Sequence, residues 1–294
     1  MFKSKFLKGV NLLDEKAVYT LSNGVTIPVI GFGTWQVKNG DETYYSVMEA
    51  LKAGYRHIDT AEAYGNEESV GRAIKDSGIP REELFITTKL WNSHGTYDET
   101  KKAFEQSLKR LGLTYVDLYL IHWANPIKHR ANYEVRNAEV YRAMEDLYFE
   151  GKIRAIGVSN FMVRHLESLL KTARVTPMVN QLFINPSDQQ AEVVSFGEEH
   201  IILTEAYSPL GTGKIFEVES LGKLAAKYQK SIGQVVLRWS LEHGYLPLPK
   251  SVTPSRIKEN LAILDFTLEE EDILQLDKLH GAFGLTLNPD EADF

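Results

Sequence analysis

The chain has 294 residues, with 33 basic against 40 acidic side chains and a formal charge of −7. That balance disfavours a general nucleic-acid or anionic-membrane binder, and the absence of cysteine removes disulfides and thiolate metal sites. No run approaches the ~20 apolar residues that cross a bilayer. The start, MFKSKFLKGVNLL, lacks an apolar core of signal-peptide length, so a cytoplasmic protein, one that binds neither membranes nor nucleic acid, is expected.

Residues 1–16 read as an N-terminal extension. In VYTLSNGVTIPVIG two β-rich runs flank Asn23-Gly24, a pair that favours a tight hairpin because both residues tolerate positive φ. The hairpin is placed at 17–28. A rhythm follows, in which short β-branched runs alternate with amphipathic helices: VIGFGT with DETYYSVMEALKAG, RHIDT with NEESVGRAIKDSG, LFITTK with YDETKKAFEQSLKRLG, and VDLYLIHW with AEVYRAMEDLYFEG. It continues as IRAIGVSN with VRHLESLLKTA, PMVNQL with SDQQAEVVSFGEE, IILTEAYS with a longer helical stretch, and YLPLPK with TPSRIKENLAIL.

Phe104, Leu108 and Leu111 fall at i, i+4, i+7, as do Ile257, Leu261 and Leu264. Glycine follows the last apolar residue at Gly54, Gly78, Gly112, Gly151, Gly244 and Gly281. No Ser/Gly/Pro-rich linker interrupts the rhythm, so residues 1–294 are expected to form one α/β domain with a tail at 282–294. Eight strand–helix alternations predict a (β/α)8 TIM barrel with the hairpin capping its bottom.

In such a barrel, function sits at the carboxyl ends of the strands. Those ends carry Thr34-Trp35, Asp59, Lys89, His122-Trp123, Ser159-Asn160, Asn180-Gln181, Tyr207-Ser208 and Lys250-Ser251. This ring is polar and aromatic, with one histidine and one acid, too few for a metal-dependent hydrolase; no metal is expected. Tyr64 lies in the turn after Asp59. A phenol of ordinary pKa near 10 is a weak donor at neutral pH. A neighbouring ammonium from Lys89 lowers that value, and Asp59 holds the lysine charged. His122 then orients a carbonyl oxygen against the phenol. Taken singly, each has a duller explanation: Asp59 with Glu62 as turn caps, Tyr64 as packing, Lys89 as a solvated loop charge, and Lys250 with Arg256 as a surface cluster. Their joint placement on one rim argues for chemistry.

A proton donor for a developing alkoxide needs an electron source, and a nicotinamide hydride donor is the natural partner. The usual fingerprint is missing: GFGTWQ places Gln36 where GxGxxG requires its third glycine, and GTGK is not a phosphate loop. A different anion site appears in PLPKSVTPSRIKEN. There Thr253 reads as an N-cap and Pro254 as the first helical residue, between Lys250 and Arg256. Arg256 suits a 2′-phosphate, favouring NADPH over NADH.

From the hairpin to Asn260 the chain resembles the aldo-keto reductases, through GFGTWQV, GYRHIDTAEAYGNEESVG, FITTKLWN, VDLYLIHW, IRAIGVSNF, VNQ, EAYSPLG and PKSVTPSRIKEN. The resemblance implies NADPH-dependent reduction of aldehydes or ketones, with Tyr64 as proton donor, Lys89 and Asp59 tuning it, and His122 holding the carbonyl. It assigns Ser159, Asn160 and Gln181 to the nicotinamide carboxamide and Tyr207 to its ring, with Thr34, Trp35 and Asp59 alongside. Ser208, Pro209, Leu210 and Gly211 would take the pyrophosphate. Lys250, Ser251 and Arg256 would bind the 2′-phosphate, with Glu259 and Asn260 at the adenine and Val252 and Thr253 also at the cofactor. Trp35, Trp91, His122 and Trp123 would wall a pocket for an apolar or aromatic carbonyl compound. The family often writes HWP where this chain has HWA with Ala124. The loop NPIKHRANYEVRN and the tail AFGLTLNPDEADF are where substrate choice is expected. The tail is short, as in bacterial members similar to diketogluconate and methylglyoxal reductases, and a monomer is the simplest expectation. A cofactor-bound regulatory subunit is the rival function, since relatives of that kind keep the same tetrad.

Overall fold

The computed structural model describes residues 4–283 and 285–294. Two short antiparallel strands, β1 (Val18–Thr20) and β2 (Thr26–Pro28), form the hairpin. Its loop is wider than a two-residue turn: Leu21 N donates to Val25 O at 2.8 Å, enclosing three residues. Gly24 takes φ +85°, whereas Asn23 is not among the positive-φ residues. The Asn23 side chain instead donates to Arg154 O at 2.9 Å and accepts from Val25 N. That tertiary bond outweighs the local preference for a tighter turn.

Eight parallel strands follow in chain order: β3 (Phe32–Gly33), β4 (His57–Asp59), β5 (Phe85–Leu90), β6 (Val116–Ile121), β7 (Ile153–Ser159), β8 (Val179–Phe183), β9 (Leu203–Tyr207) and β10 (Leu246–Leu248). The first and last meet, because Gly31 N donates to Pro247 O at 3.1 Å and Gly33 N to Pro249 O at 3.0 Å. This closes the cylinder. Gly31 is required for the closure: a Cβ there would lie 2.5 Å from His57 Nδ1 and 2.6 Å from Leu248 Cδ2. Strands β4, β5 and β6 are buried at every position, as strands covered on both faces must be. Tyr19 of β1 donates to Tyr245 O, just before β10, and Asn23 reaches the start of β7. Both contacts lie at amino ends of strands, so the hairpin covers the bottom of the barrel.

Around the strands lie α1 (Asp41–Ala53), α2 (Glu67–Asp76), α3 (Tyr97–Leu111), α4 (Tyr133–Phe149), α5 (Val163–Leu170), α6 (Ala191–Glu199), α7 (Glu219–Tyr228), α8 (Ile232–Glu242), α9 (Pro254–Leu261) and α10 (Glu270–Asp277). Helix α3 shows how the sequence sets such an element. Thr96 and Glu99 form a reciprocal capping box, Ala103, Phe104, Ser107, Leu108 and Leu111 face inward, and Gly112 ends it at φ +66°. Three features differ from the sequence reading. Helix α4 begins at Tyr133, so the loop at 125–137 is largely helical. Leu264 is buried but lies beyond the end of α9. Helix α10 is additional to the eight alternations; its Ile273 and Leu276 pack inward. Among the described residues no helix is long and apolar enough to cross a membrane.

Candidate active site

Inward-facing positions on parallel strands recur every second residue, and the register sets which of them meet. Asp59 of β4 is aligned with Thr87 of β5, one pleat below Lys89. Lys89 is fully buried. Its Nζ donates to Asp59 Oδ1 at 2.6 Å, to Thr60 O at 2.9 Å and to Tyr64 Oη at 3.3 Å. An ammonium has three N–H donors, and here all three are used. Tyr64 Oη therefore accepts from Lys89, and its own hydrogen is left for another acceptor. Tyr64 sits on a 3₁₀ turn, Glu62–Tyr64, ended by Gly65 at φ +66°. Neither Asp59 nor Glu62 caps this turn, because Ala61 is the capping residue and makes no side-chain bond. Glu62 instead accepts from Trp91 N at 3.2 Å and pairs with His94 at 3.0 Å, fixing the loop after β5.

The electrostatics correct one expectation. Burial pushes the Tyr64 phenol above its ordinary value of 10, and the Lys89 ammonium opposes this without overcoming it, while Asp59 adds to the rise. The proton stays on the phenol throughout the neutral range, as a donor requires. For Lys89, burial pulls downward, but the Asp59 carboxylate and Tyr64 prevail and raise it above 10.5. His122 is driven well below 6.5 by burial and then by Lys89, so its imidazole is neutral. Its ring meets that of Tyr64 edge-on at 5.7 Å and that of Trp91 at 5.2 Å.

A cavity of about 920 Å³ opens over this group. Its walls include Trp35, Asp59, Tyr64, Trp91, His122 and Trp123, then Ser159, Asn160, Gln181, Tyr207, Ser208, Pro209 and Leu210, and then Lys250, Ser251, Arg256, Glu259 and Asn260. Thr34, Gly211, Val252 and Thr253 do not line it. Thr34 is buried with its hydroxyl on Asp59 O. A Cβ at Gly211 would strike the Phe283 ring, so this residue faces the tail. Val252 borders a separate shallow pocket with Pro254. The Thr253 side chain accepts no amide of the first turn of α9, although Pro254 does occupy its first position. No ion pair among the described residues involves Lys250 or Arg256, which leaves both cations available to a ligand.

The polar groups around Gln181 are tightly specified. Its Nε2 donates to Asp59 Oδ2 at 2.9 Å and to Glu205 Oε2 at 2.8 Å, so the amide oxygen is left over. Asn160 takes φ +58°. It donates to His122 O and Ser159 Oγ and accepts from Tyr207 Oη at 2.9 Å. Four residues between 208 and 213 have φ from +47° to +98°, backbone of the kind that builds anion-binding concavities.

Sequence reasoning missed other cavity residues. Thr212, Gly213 and Phe216 come from the 3₁₀ segment Gly211–Glu217; GTG directly after SPL was the available signal. Leu285, Thr286, Leu287 and Phe294 come from the tail, which the sequence singled out for substrate choice without naming its residues. Asp290 anchors that tail to Asn125, Arg164 and His165. Phe294 stacks on Trp91 and meets Trp123 edge-on at 4.8 Å. Among the described residues no group of acids and histidines could hold a metal ion.

The aldo/keto reductase family model matches residues 29–280. The chain belongs to the aldo/keto reductase family. It is an oxidoreductase that acts on carbonyl groups, on small-molecule substrates. It is 48% identical to "Glyoxal reductase" of Bacillus subtilis over 95% of this chain and 98% of that one. It is 42% identical to "Methylglyoxal reductase DkgA" of Escherichia coli, over 95% and 99%. A solved structure of a Gox0644 mutant in complex with NADPH superposes with a TM-score of 0.87 at 38% identity, covering 95% of this chain and 99% of the other. The neighbour's barrel is thus shared over nearly the whole of this reductase.

Proposed function

We propose that this reductase uses NADPH to reduce aldehydes and ketones to alcohols, with Tyr64 as the proton donor. One observation carries the reading: Lys89 gives all three N–H groups to Asp59, Thr60 and Tyr64, leaving the phenol hydrogen free beside the cavity. The cavity residues fit a phosphorylated nicotinamide dinucleotide. Gln181 has only its amide oxygen left for a carboxamide, the 208–213 backbone suits a pyrophosphate, and Lys250 and Arg256 are cations with no ion pair among the described residues. When bound, the nicotinamide supplies hydride to the carbonyl carbon. The neutral His122 imidazole orients the carbonyl oxygen, and Tyr64 Oη delivers its proton there as negative charge develops. The phenolate left behind is stabilised by the Lys89 ammonium.

Arg256 tests the cofactor assignment. Charge-assisted bonds are worth about 1.5–3 kcal/mol, so Arg256→Ala is expected to weaken NADPH by roughly 10–100-fold and NADH by no more than about twofold. Fluorescence titration with both nucleotides measures this, and equal losses would show that the 2′-phosphate lies elsewhere.

The substrate walls of Trp35, Trp91, Trp123, Leu285, Leu287 and Phe294 present no cation. A neutral carbonyl compound therefore suits this pocket better than a keto acid, whose carboxylate would be desolvated without a partner. The two relatives named for glyoxal and methylglyoxal support that choice. NADPH consumption is expected with methylglyoxal and a nitrobenzaldehyde, and at least about tenfold lower kcat/KM with a diketo sugar acid. Tight NADPH binding without turnover on any carbonyl would instead favour the regulatory-subunit reading.

A further inference from the structure

Directly behind Gln181, a second carboxyl group lies inside the barrel. Glu205 of β9 is fully buried and in register with Gln181 on one side and Leu246 on the other. Its Oε2 accepts from Gln181 Nε2, the nitrogen that also serves Asp59. Its Oε1 has no hydrogen-bond partner among the described residues. Four side chains face it: His57 and Asp59 from β4, Lys89 from β5 and Gln181 from β8. The apolar Leu246 of β10 adds no charge.

The charges do not balance if Glu205 is ionised. Asp59 and Lys89 already neutralise each other at 2.6 Å, and Lys89 has no N–H left for Glu205. His57 Nε2 bonds Thr87 Oγ1 at 2.9 Å and stands 3.9 Å from Glu205 Oε1. Burial, and then Lys89, push His57 down to about 3, so it supplies no second cation. A lone carboxylate in so dry a place is strongly disfavoured.

We propose that Glu205 is a positioning residue that keeps its proton while the site holds the reduced nicotinamide and releases it when the oxidised, cationic ring is bound, so that the balance between the two cofactor forms depends on pH. This rests on the reading above that the nicotinamide lies against Gln181. Oxidation removes a hydride with both its electrons and leaves the pyridine ring positively charged, and an anion behind Gln181 then acquires a partner. The proton goes to solvent and is recovered on reduction. Burial, and then the Asp59 carboxylate, push Glu205 up to about 8, with Gln181 and Lys89 opposing, so the release falls within reach of experiment.

The test uses the intact enzyme with NADP⁺ and NADPH as probes. Kd is measured for both from pH 6.5 to 9.5, and calorimetry in buffers of different ionisation enthalpy counts protons at pH 8. The 2′-phosphate is common to both probes and cancels. In the wild type the ratio Kd(NADP⁺)/Kd(NADPH) should fall on the order of tenfold across the range, the effect of about one pKa unit of coupling. NADP⁺ should release more protons than NADPH. In Glu205→Gln, a neutral side chain of the same shape, the ratio should be flat and the difference in proton release absent. Equal proton release for the two nucleotides in the wild type would overturn the proposal without any variant, as would an unchanged slope in Glu205→Gln. If neither nucleotide binds the wild type, the cofactor reading itself fails and this proposal with it.

Discussion

Tyr64→Phe is expected to lower kcat for carbonyl reduction by roughly 10²–10⁴-fold, the usual contribution of a positioned general acid, with NADPH affinity held within about twofold. The substitution removes one oxygen from a side chain whose ring keeps its edge-on contact with His122 at 5.7 Å. Lys89 loses its weakest acceptor, at 3.3 Å, and retains Asp59 and Thr60. The fold is therefore expected to survive, and the loss to fall on the proton. Steady-state kinetics together with nucleotide titration separates the two effects. Full activity in the Tyr64→Phe variant would remove Tyr64 from the mechanism.

Lys89→Met is expected to damage both chemistry and stability. Methionine fills a similar volume but leaves the Asp59 carboxylate in the barrel interior with Gln181 as its remaining side-chain donor. Breaking one side of a buried ion pair costs about 3–5 kcal/mol, which for a chain of this size lowers Tm on the order of 10 °C. Turnover falls with it, since the phenolate loses its cation. The double substitution Lys89→Met with Asp59→Asn should recover most of the stability and none of the turnover. Lys89 is held above 10.5 in the folded protein. Its contribution to stability is thus fully present below that pH and lost only as pH rises past the folded value. Lys89 itself does not titrate between about pH 6 and 9, so any pH dependence of the Lys89→Met loss across that range, read from denaturant melts at each pH, reports Glu205, whose rise Lys89 opposes.

The barrel was legible because its period is local. Phe104, Leu108 and Leu111 reveal the inward face of α3, while β-branched runs such as LFITTK reveal strands buried on both sides. Asp59, Lys89 and His122 could be placed on one rim because strand ends in a parallel barrel share a level. What escaped the sequence was set over long range. The Asn23 bond to Arg154 widened the hairpin loop, and nothing near Asn23 records Arg154. The tail reaches the cavity through Asp290, whose partners lie at Asn125, Arg164 and His165, more than a hundred residues away in sequence. The direction of the Tyr64 shift depended on how deeply the phenol is buried, which composition does not report. Glu205 left a faint trace as an acid within the strand run LTEAY, but its shared use of Gln181 with Asp59 is visible only in three dimensions.

The hairpin plug has a practical consequence. Its tip bonds to the foot of β7, at the pole opposite the mouth where the aromatic walls and the cations Lys250 and Arg256 lie. An affinity handle or a surface linker inserted at Ser22 would anchor the enzyme by its closed pole and leave the open one facing the medium. Immobilised reductase attached in that orientation should exchange cofactor as freely as the dissolved form.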